Sequence, residues 1–192
     1  MVEAVVAHPF AGIGPEQASS PALHAEALSP RRRFENLLDR HEAKLRRVAF
    51  GMLGDPNAVD DVLQEAFLRA YRKLPSHFEN ERVEAAWIYR IVHRCCLNEL
   101  RARGRRREMP GLDELRAAAT DKTDASLGVV VSLAALPPQA RAVVLLVDLI
   151  GFDYETAASI LRVPRGTVAS RLNAARAQLR AAFAQAEEDR DE

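Results

Sequence analysis

The chain has 192 residues, room for one medium domain or two small ones, and its 27 Lys or Arg balance 27 Asp or Glu. Its two cysteines, Cys95 and Cys96, are adjacent, which excludes a disulfide framework and leaves too few thiols for a cysteine-built zinc site. No stretch approaches the ~20 apolar residues that cross a bilayer, and the start lacks a basic segment followed by an apolar run. A cytoplasmic protein with no membrane insertion is expected.

The neutral total is a sum of unlike parts. Residues 31–107 hold 18 Lys or Arg against 11 Asp or Glu, and residues 137–183 hold 6 against 3, whereas residues 1–30, 108–136 and 184–192 are each net acidic. Two basic blocks between acidic connectors point to polyanion binding by the blocks. Ala and Leu dominate and aromatics are few, a composition that favours packed helices, so the expected fold class is all-α.

Residues 1–30 carry Pro9, Pro15, Pro21 and Pro30 with no usable period, and read as a disordered extension. A helical period begins at Phe34 and passes through Leu37, Leu38, His41, Leu45, Val48, Ala49 and Met52. Gly54 ends it, and Asp55-Pro56 supplies a cap followed by proline at the first position of the next helix. That helix turns Val59, Val62, Leu63, Ala66, Phe67, Ala70 and Tyr71 inward and stops at Leu74-Pro75. A third helix, with Val83, Trp87, Ile88, Ile91, Val92, Cys95 and Leu100 inward, runs out into five arginines between Arg101 and Arg107. Trp87 and Tyr89 sit about 200° apart around that helix, so only Trp87 is expected in the core.

Residues 108–126 read as a flexible linker, followed by a helix over 127–136 and another opened by Pro137-Pro138. After Gly151 the pattern changes. Tyr154 to Leu161 makes about two turns, Arg162-Val163 reverses the chain, and Pro164 starts a helix through Leu179. Val168, Leu172, Ala175 and Leu179 face inward; Arg165, Thr167, Ser170, Arg171, Asn173 and Arg176 face outward. Two helices joined by a tight turn, the second with a polar outer face, make a helix-turn-helix whose second helix fits the major groove of DNA. A helical hairpin with a merely solvated charged face shares that pattern.

The segment LPPQARAVVLLVDLIGFDYETAASILRVPRGTVASRLNAARAQL resembles the DNA-binding carboxyl-terminal domain of extracytoplasmic-function sigma factors, small members of the sigma-70 family. Upstream, NAVDDVLQEAFLRAYRKLPSHFENERVEAAWIYRIVHRCCLNELRARGRR resembles the other half of the same proteins, in family order. The resemblance implies two small helical domains: a sigma region 2 bundle over 31–107 and a region 4 helix-turn-helix over 127–184, with an acidic tail at 185–192.

The resemblance also assigns roles. The polar strip Asp60, Asp61, Gln64 and Glu65 would dock on the clamp helices of the largest subunit of core RNA polymerase, with the linker as a second contact to core and the beta subunit as a further partner. A carboxylate cluster suits an Arg-rich partner; read without the resemblance, the same strip is a solvated face. Phe78, Asn80, Arg90, Arg94 and Asn98 would capture a base flipped from the minus-ten element, while Arg101, Arg103 and Arg105 would meet phosphates at its upstream edge. Arg165, Thr167, Ser170, Arg171, Asn173 and Arg176 would read the minus-thirty-five element. Arg94 stands where relatives carry Asn, Arg162 where Gly is usual, and Ala169 and Ala174 where basic residues are frequent. An anti-sigma factor is the further partner the resemblance implies.

Catalytic groups are not in evidence: the five histidines lack metal-ligand spacing, and no phosphate loop or nucleophile elbow appears. No metal, no cofactor and no enzymatic activity are expected. The rival reading is a stand-alone helix-turn-helix regulator that never meets polymerase. The acidic strip and the arginine-ended third helix are what a plain repressor has no use for.

Overall fold

The computed structural model describes residues 29–106 and 131–191, and among these every regular element is helical. The first module is three helices, α1 (Pro30–Leu53), α2 (Pro56–Arg72) and α3 (Glu81–Arg106). The second follows a short helical segment at 131–135 and comprises α4 (Pro138–Val144), α5 (Tyr154–Leu161) and α6 (Arg165–Asp191). The expectations for residues 1–28 and for the linker lie outside the described residues.

Local chemistry sets the helix boundaries. Ser29 caps α1 by accepting the Arg32 amide at 3.3 Å. At its other end Gly54, at φ 69°, turns the chain left-handed and donates to the Phe50 carbonyl at 2.8 Å, a conformation glycine adopts without cost. Asp55 then accepts the Asn57 amide at 3.0 Å, so the cap expected before Pro56 is present. Asn80 caps α3 by accepting the Val83 amide at 3.0 Å. Leu37, Leu45, Met52, Leu63, Ile88 and Val92 fill the space between the three helices and are fully buried. Each fully buried Leu is worth roughly 2 kcal/mol of transfer free energy.

Two polar ties brace this bundle. Glu84 is buried and accepts two contacts from Arg40 at 2.8 Å and one from His41 at 3.1 Å, joining α3 to α1. Arg103 pairs with Glu99 at 3.0 Å and Asp55 at 2.9 Å, fixing the end of α3 to the α1–α2 corner.

His93 lies on α3 with its Nε2 sealed from water and unpartnered. Burial, assisted by the charge of Arg101, pulls its pKa down to about 4. A histidine held neutral by the fold takes up a proton more readily once unfolded, so its contribution is intact above pH ~6.5 and is lost as pH falls towards ~4. Between pH 7 and pH 5 the protein should therefore lose on the order of 1–2 kcal/mol through this group. Urea midpoints at the two pH values should show that loss in the wild type and a smaller one in His93→Leu.

In the second module α4 continues into a π-helical turn, Leu145–Leu149, in which the Ile150 amide donates to the Leu145 carbonyl at 3.1 Å. Arg141 is buried and spends its guanidinium on carbonyls, those of Ala134 at 2.7 Å, Leu136 at 3.1 Å and Met52 at 2.5 Å. Asp153 caps α5 by accepting the Thr156 amide at 2.8 Å. Val168, Leu172 and Ala175 of α6 pack inward as the periodicity requires. The helix does not stop at Leu179: its backbone stays helical to Asp191, through the stretch read as an acidic tail. Ala, Gln and Glu are strong helix formers, which suits that continuation.

The turn between α5 and α6 holds Arg162 at φ 56°, ψ 48°. A left-handed non-glycine residue costs roughly 1 kcal/mol, part of which the lower unfolded-state entropy of arginine offsets. Arg162→Gly should raise the stability of the second module by about 0.5–1 kcal/mol, read as an upward shift in its thermal midpoint.

One sequence expectation is corrected. Tyr89, placed off the core by its angle from Trp87, is only 1% exposed, and Trp87 is the half-buried one. The Tyr89 ring lies edge-on to Phe152 of the second module, 4.9 Å between centroids at 87°, and near His41 of α1 at 6.1 Å. One helix face is thus covered by α1 and α2, and part of the other by a module distant in sequence. Two further inward assignments are exposed, Val83 at 41% and Tyr71 at 48%.

Candidate polymerase and promoter interfaces

The carboxylate strip stands on the outer face of α2. Asp60, Asp61, Gln64 and Glu65 are all exposed, while their neighbours Val59, Val62, Leu63 and Ala66 are buried. Asp60 pairs with Arg46 of α1 and Glu65 with Arg69 one turn on. Asp61 and Gln64 have no hydrogen-bond or ion-pair partner among the described residues, so their polar groups are open to another molecule.

On α3, Arg90, Arg94, Asn98, Arg101 and Arg105 recur at steps of three and four residues and fall within about 80° of one another, a stripe roughly 22 Å long. Arg94, Asn98, Arg101 and Arg105 are exposed, and Arg101 donates to Asn98 at 3.4 Å. Arg90, at the head of the stripe, is half-buried and donates to the carbonyl and hydroxyl of Ser159, both at 3.0 Å. Arg103 does not join them: it points back into the bundle, 15% exposed, with Asp55 and Glu99.

Phe78 and Asn80 stand apart from the stripe, in the loop before α3. The Phe78 ring packs on Trp87 at 5.3 Å. Both residues line a cavity of about 400 Å³ together with Arg33, Asn36 and Arg40 of α1 and Glu84 of α3. The three α1 residues carry no signal in sequence, because their place beside Phe78 depends on how α1 packs against the loop some forty residues later. The volume admits a nucleobase, and hydrogen-bonding groups surround it.

On α6 the outer residues divide by angle. Ser170 and Asn173 are exposed opposite the buried Val168, Leu172 and Ala175; Thr167 and Arg171 lie half-buried on one flank. On the other flank are Arg165, exposed, and Arg176, which is bound to Asp148 at 2.5 Å and 3.1 Å. A helix with polar groups on its crown and cations on both flanks can address base edges and the two bordering phosphate backbones at once.

Both cysteines are buried, and burial pushes the Cys96 thiol up to about 12, far from a reactive thiolate at neutral pH. No helix among the described residues is long and apolar enough to cross a membrane.

Comparison with known proteins places both modules. Residues 37–106 match the family model of Sigma-70 region 2, and residues 129–179 that of Sigma-70, region 4. The chain is 33% identical over 166 residues to the ECF RNA polymerase sigma factor SigM of Mycobacterium tuberculosis, covering 85% of this chain and 84% of that one. It is 34% identical over 160 residues to the ECF sigma factor SigE of Mycolicibacterium smegmatis, covering 77% and 60%. Among solved structures it superposes on CnrH, determined with the cytosolic domain of CnrY, with TM-score 0.63 and 26% identity over 81% of this chain and 90% of that one. The fold is likewise that of RpoE from Bartonella quintana, determined with the anti-sigma factor NepR, with TM-score 0.61 and 21% identity over 80% and 95%. The chain therefore belongs to the extracytoplasmic-function sigma factors of the sigma-70 family, the initiation factors that direct core RNA polymerase to its promoters.

Proposed function

We propose that the two modules divide promoter recognition between them. The first, over 31–107, holds core polymerase through Asp60, Asp61, Gln64 and Glu65. It melts the minus-ten element with the α3 stripe of Arg90, Arg94, Asn98, Arg101 and Arg105, while the cavity beside Phe78 and Asn80 receives the flipped base. The second, over 127–184, reads the minus-thirty-five element as duplex through Arg165, Thr167, Ser170, Arg171, Asn173 and Arg176. Arg103 serves this site indirectly, by anchoring the helix that carries the stripe.

The observation that carries the reading is the alignment of five DNA-competent side chains on one edge of α3 while the carboxylates occupy a separate helix. Cations facing the nucleic acid and anions facing an Arg-rich protein avoid placing like charges together. The two elements lie about 35–60 Å apart along duplex DNA. The 24 residues from 107 to 130 have a maximal reach of roughly 80 Å, enough to join modules bound at both.

The protein acts in the cytoplasm and performs no catalysis of its own; bond formation belongs to the polymerase. An anti-sigma factor restrains it; the similar fold of RpoE was determined bound to one, NepR. An apolar groove of about 790 Å³ between the modules, lined by Phe50, Val59, Leu149, Leu179 and Phe183, offers an amphipathic helix of that factor a seat. Run-off transcription with purified core polymerase and a randomised promoter library tests the function: enrichment of two short motifs at a fixed spacing supports it. Starts without sequence preference, or none at all, would sink it.

A further inference from the structure

The arginines on the flanks of α6 are held differently. Arg165 and Arg171 have no hydrogen-bond or ion-pair partner among the described residues. Arg176 is gripped side-on by Asp148: its Nε donates to Oδ2 at 3.1 Å and its Nη2 to Oδ1 at 2.5 Å. That pairing uses two of the five N–H groups of a guanidinium. Both hydrogens of Nη1 and the second of Nη2 stay free, on the end of the fork turned away from the carboxylate. Two adjacent N–H groups in one plane match two oxygens of a phosphate.

Asp148 owes its place to the π-helical turn Leu145–Leu149. Such a turn holds one residue more than an α turn, which shifts the face its side chains present, and it is frequent at functional sites. Leu149, one turn on from the buried Leu145, is accordingly 46% exposed, while Asp148 meets α6. The pair contributes little to folding, because its side chains are 43% and 33% exposed and both ions stay hydrated. A carboxylate beside a DNA-reading helix also repels phosphate. Its use lies instead in what it does to the arginine.

We infer that Asp148 is a positioning residue for promoter recognition. It orients the Arg176 guanidinium so that the Nη1 and Nη2 end meets a backbone phosphate bordering the minus-thirty-five element as α6 enters the major groove. The inference rests on the minus-thirty-five assignment of Arg176 made above. An unpaired arginine samples many rotamers and must give them up on binding, whereas one already held by Asp148 has given most of them up. At physiological salt the repulsion between exposed carboxylate and phosphate is weakened by screening and the ordering cost is not, so orientation decides the sign. At low salt the repulsion grows and the advantage of Asp148 shrinks.

The test uses holoenzyme assembled from core polymerase and the full chain in three forms: wild type, Asp148→Ala and Arg176→Ala. The probes are labelled duplexes of a promoter that the wild-type holoenzyme transcribes, each with a single neutral methylphosphonate at one position across the minus-thirty-five element. Asp148→Ala should bind the unmodified promoter about fivefold more weakly, a loss set by the ordering cost of one long side chain. With wild type, each methylphosphonate at a contacted phosphate weakens binding. Arg176→Ala should abolish that sensitivity at one phosphate, and Asp148→Ala should abolish it at the same phosphate and no other. A merely structural role for Asp148 would lower sensitivity at every position alike, and that result overturns the inference. So does an Asp148→Ala protein that binds as well as wild type or better, or that keeps the wild-type pattern. If Arg176→Ala itself keeps every sensitivity, the assignment of Arg176 to the minus-thirty-five element fails, and the inference falls with it. Should Asp148→Ala fail to fold, Asp148→Asn, which keeps the size but loses the charge and the second acceptor, decides in its place.

Discussion

Asp61→Arg is expected to weaken binding to core RNA polymerase by about a hundredfold, roughly 3 kcal/mol, while leaving the fold intact. Asp61 is exposed on α2 and has no partner among the described residues, so removing its charge breaks nothing inside the chain. Exposed substitutions of this kind change stability by less than about 0.5 kcal/mol. Across an interface with an Arg-rich helix, however, the change replaces an attraction with a like-charge contact. Asp60→Arg is a less clean experiment, because Asp60 also pairs with Arg46 and its reversal disturbs α1 as well. Titration of labelled core polymerase, with a thermal melt alongside, separates the two effects: an unchanged melt with undiminished affinity would remove the strip from the interface.

Arg171→Ala has the other large expected effect, on promoter choice rather than assembly. Arg171 lies half-buried on the flank of α6 beside Thr167, with no internal partner among the described residues. Losing a base-edge contact costs about 1–3 kcal/mol, a factor of roughly 5–150 in promoter affinity, and relaxes preference at one position of the minus-thirty-five element. Losing a phosphate contact instead weakens all promoters alike and lowers the salt slope by about one unit. Holoenzyme binding to promoters mutated base by base across that element distinguishes the outcomes. Core binding should be unchanged, and equal loss of core and promoter binding would contradict the separation of duties.

Local signals carried much of the architecture. Gly54 followed by Asp55-Pro56 marks the α1–α2 corner because each residue satisfies a backbone need within four positions. Pro164 and the inward period of Val168, Leu172 and Ala175 mark the recognition helix for the same reason. At Arg162, where the resemblance leads one to expect Gly, the chain keeps a left-handed turn with an arginine in it. The illegible features are pairings between distant residues. Asp55 and Arg103 are 48 positions apart, Arg40 and Glu84 44, and Met52 and Arg141 89. A guanidinium reads the same whether it will meet phosphate or a buried carbonyl, so Arg103 looked like one more DNA contact. Tyr89 was misplaced for a related reason. Helical periodicity reports one buried face, and a helix covered on a second face by another module carries no local sign of it.

Site-specific photocrosslinking in a reconstituted holoenzyme–promoter complex tests the division of labour most directly, with a photoreactive amino acid at Phe78 in one preparation and at Asn173 in another. The account requires the Phe78 probe to attach to the non-template strand within the minus-ten element and the Asn173 probe to attach to duplex around minus thirty-five. Attachment of both probes to the same element, or of the Asn173 probe to melted strand, would contradict it.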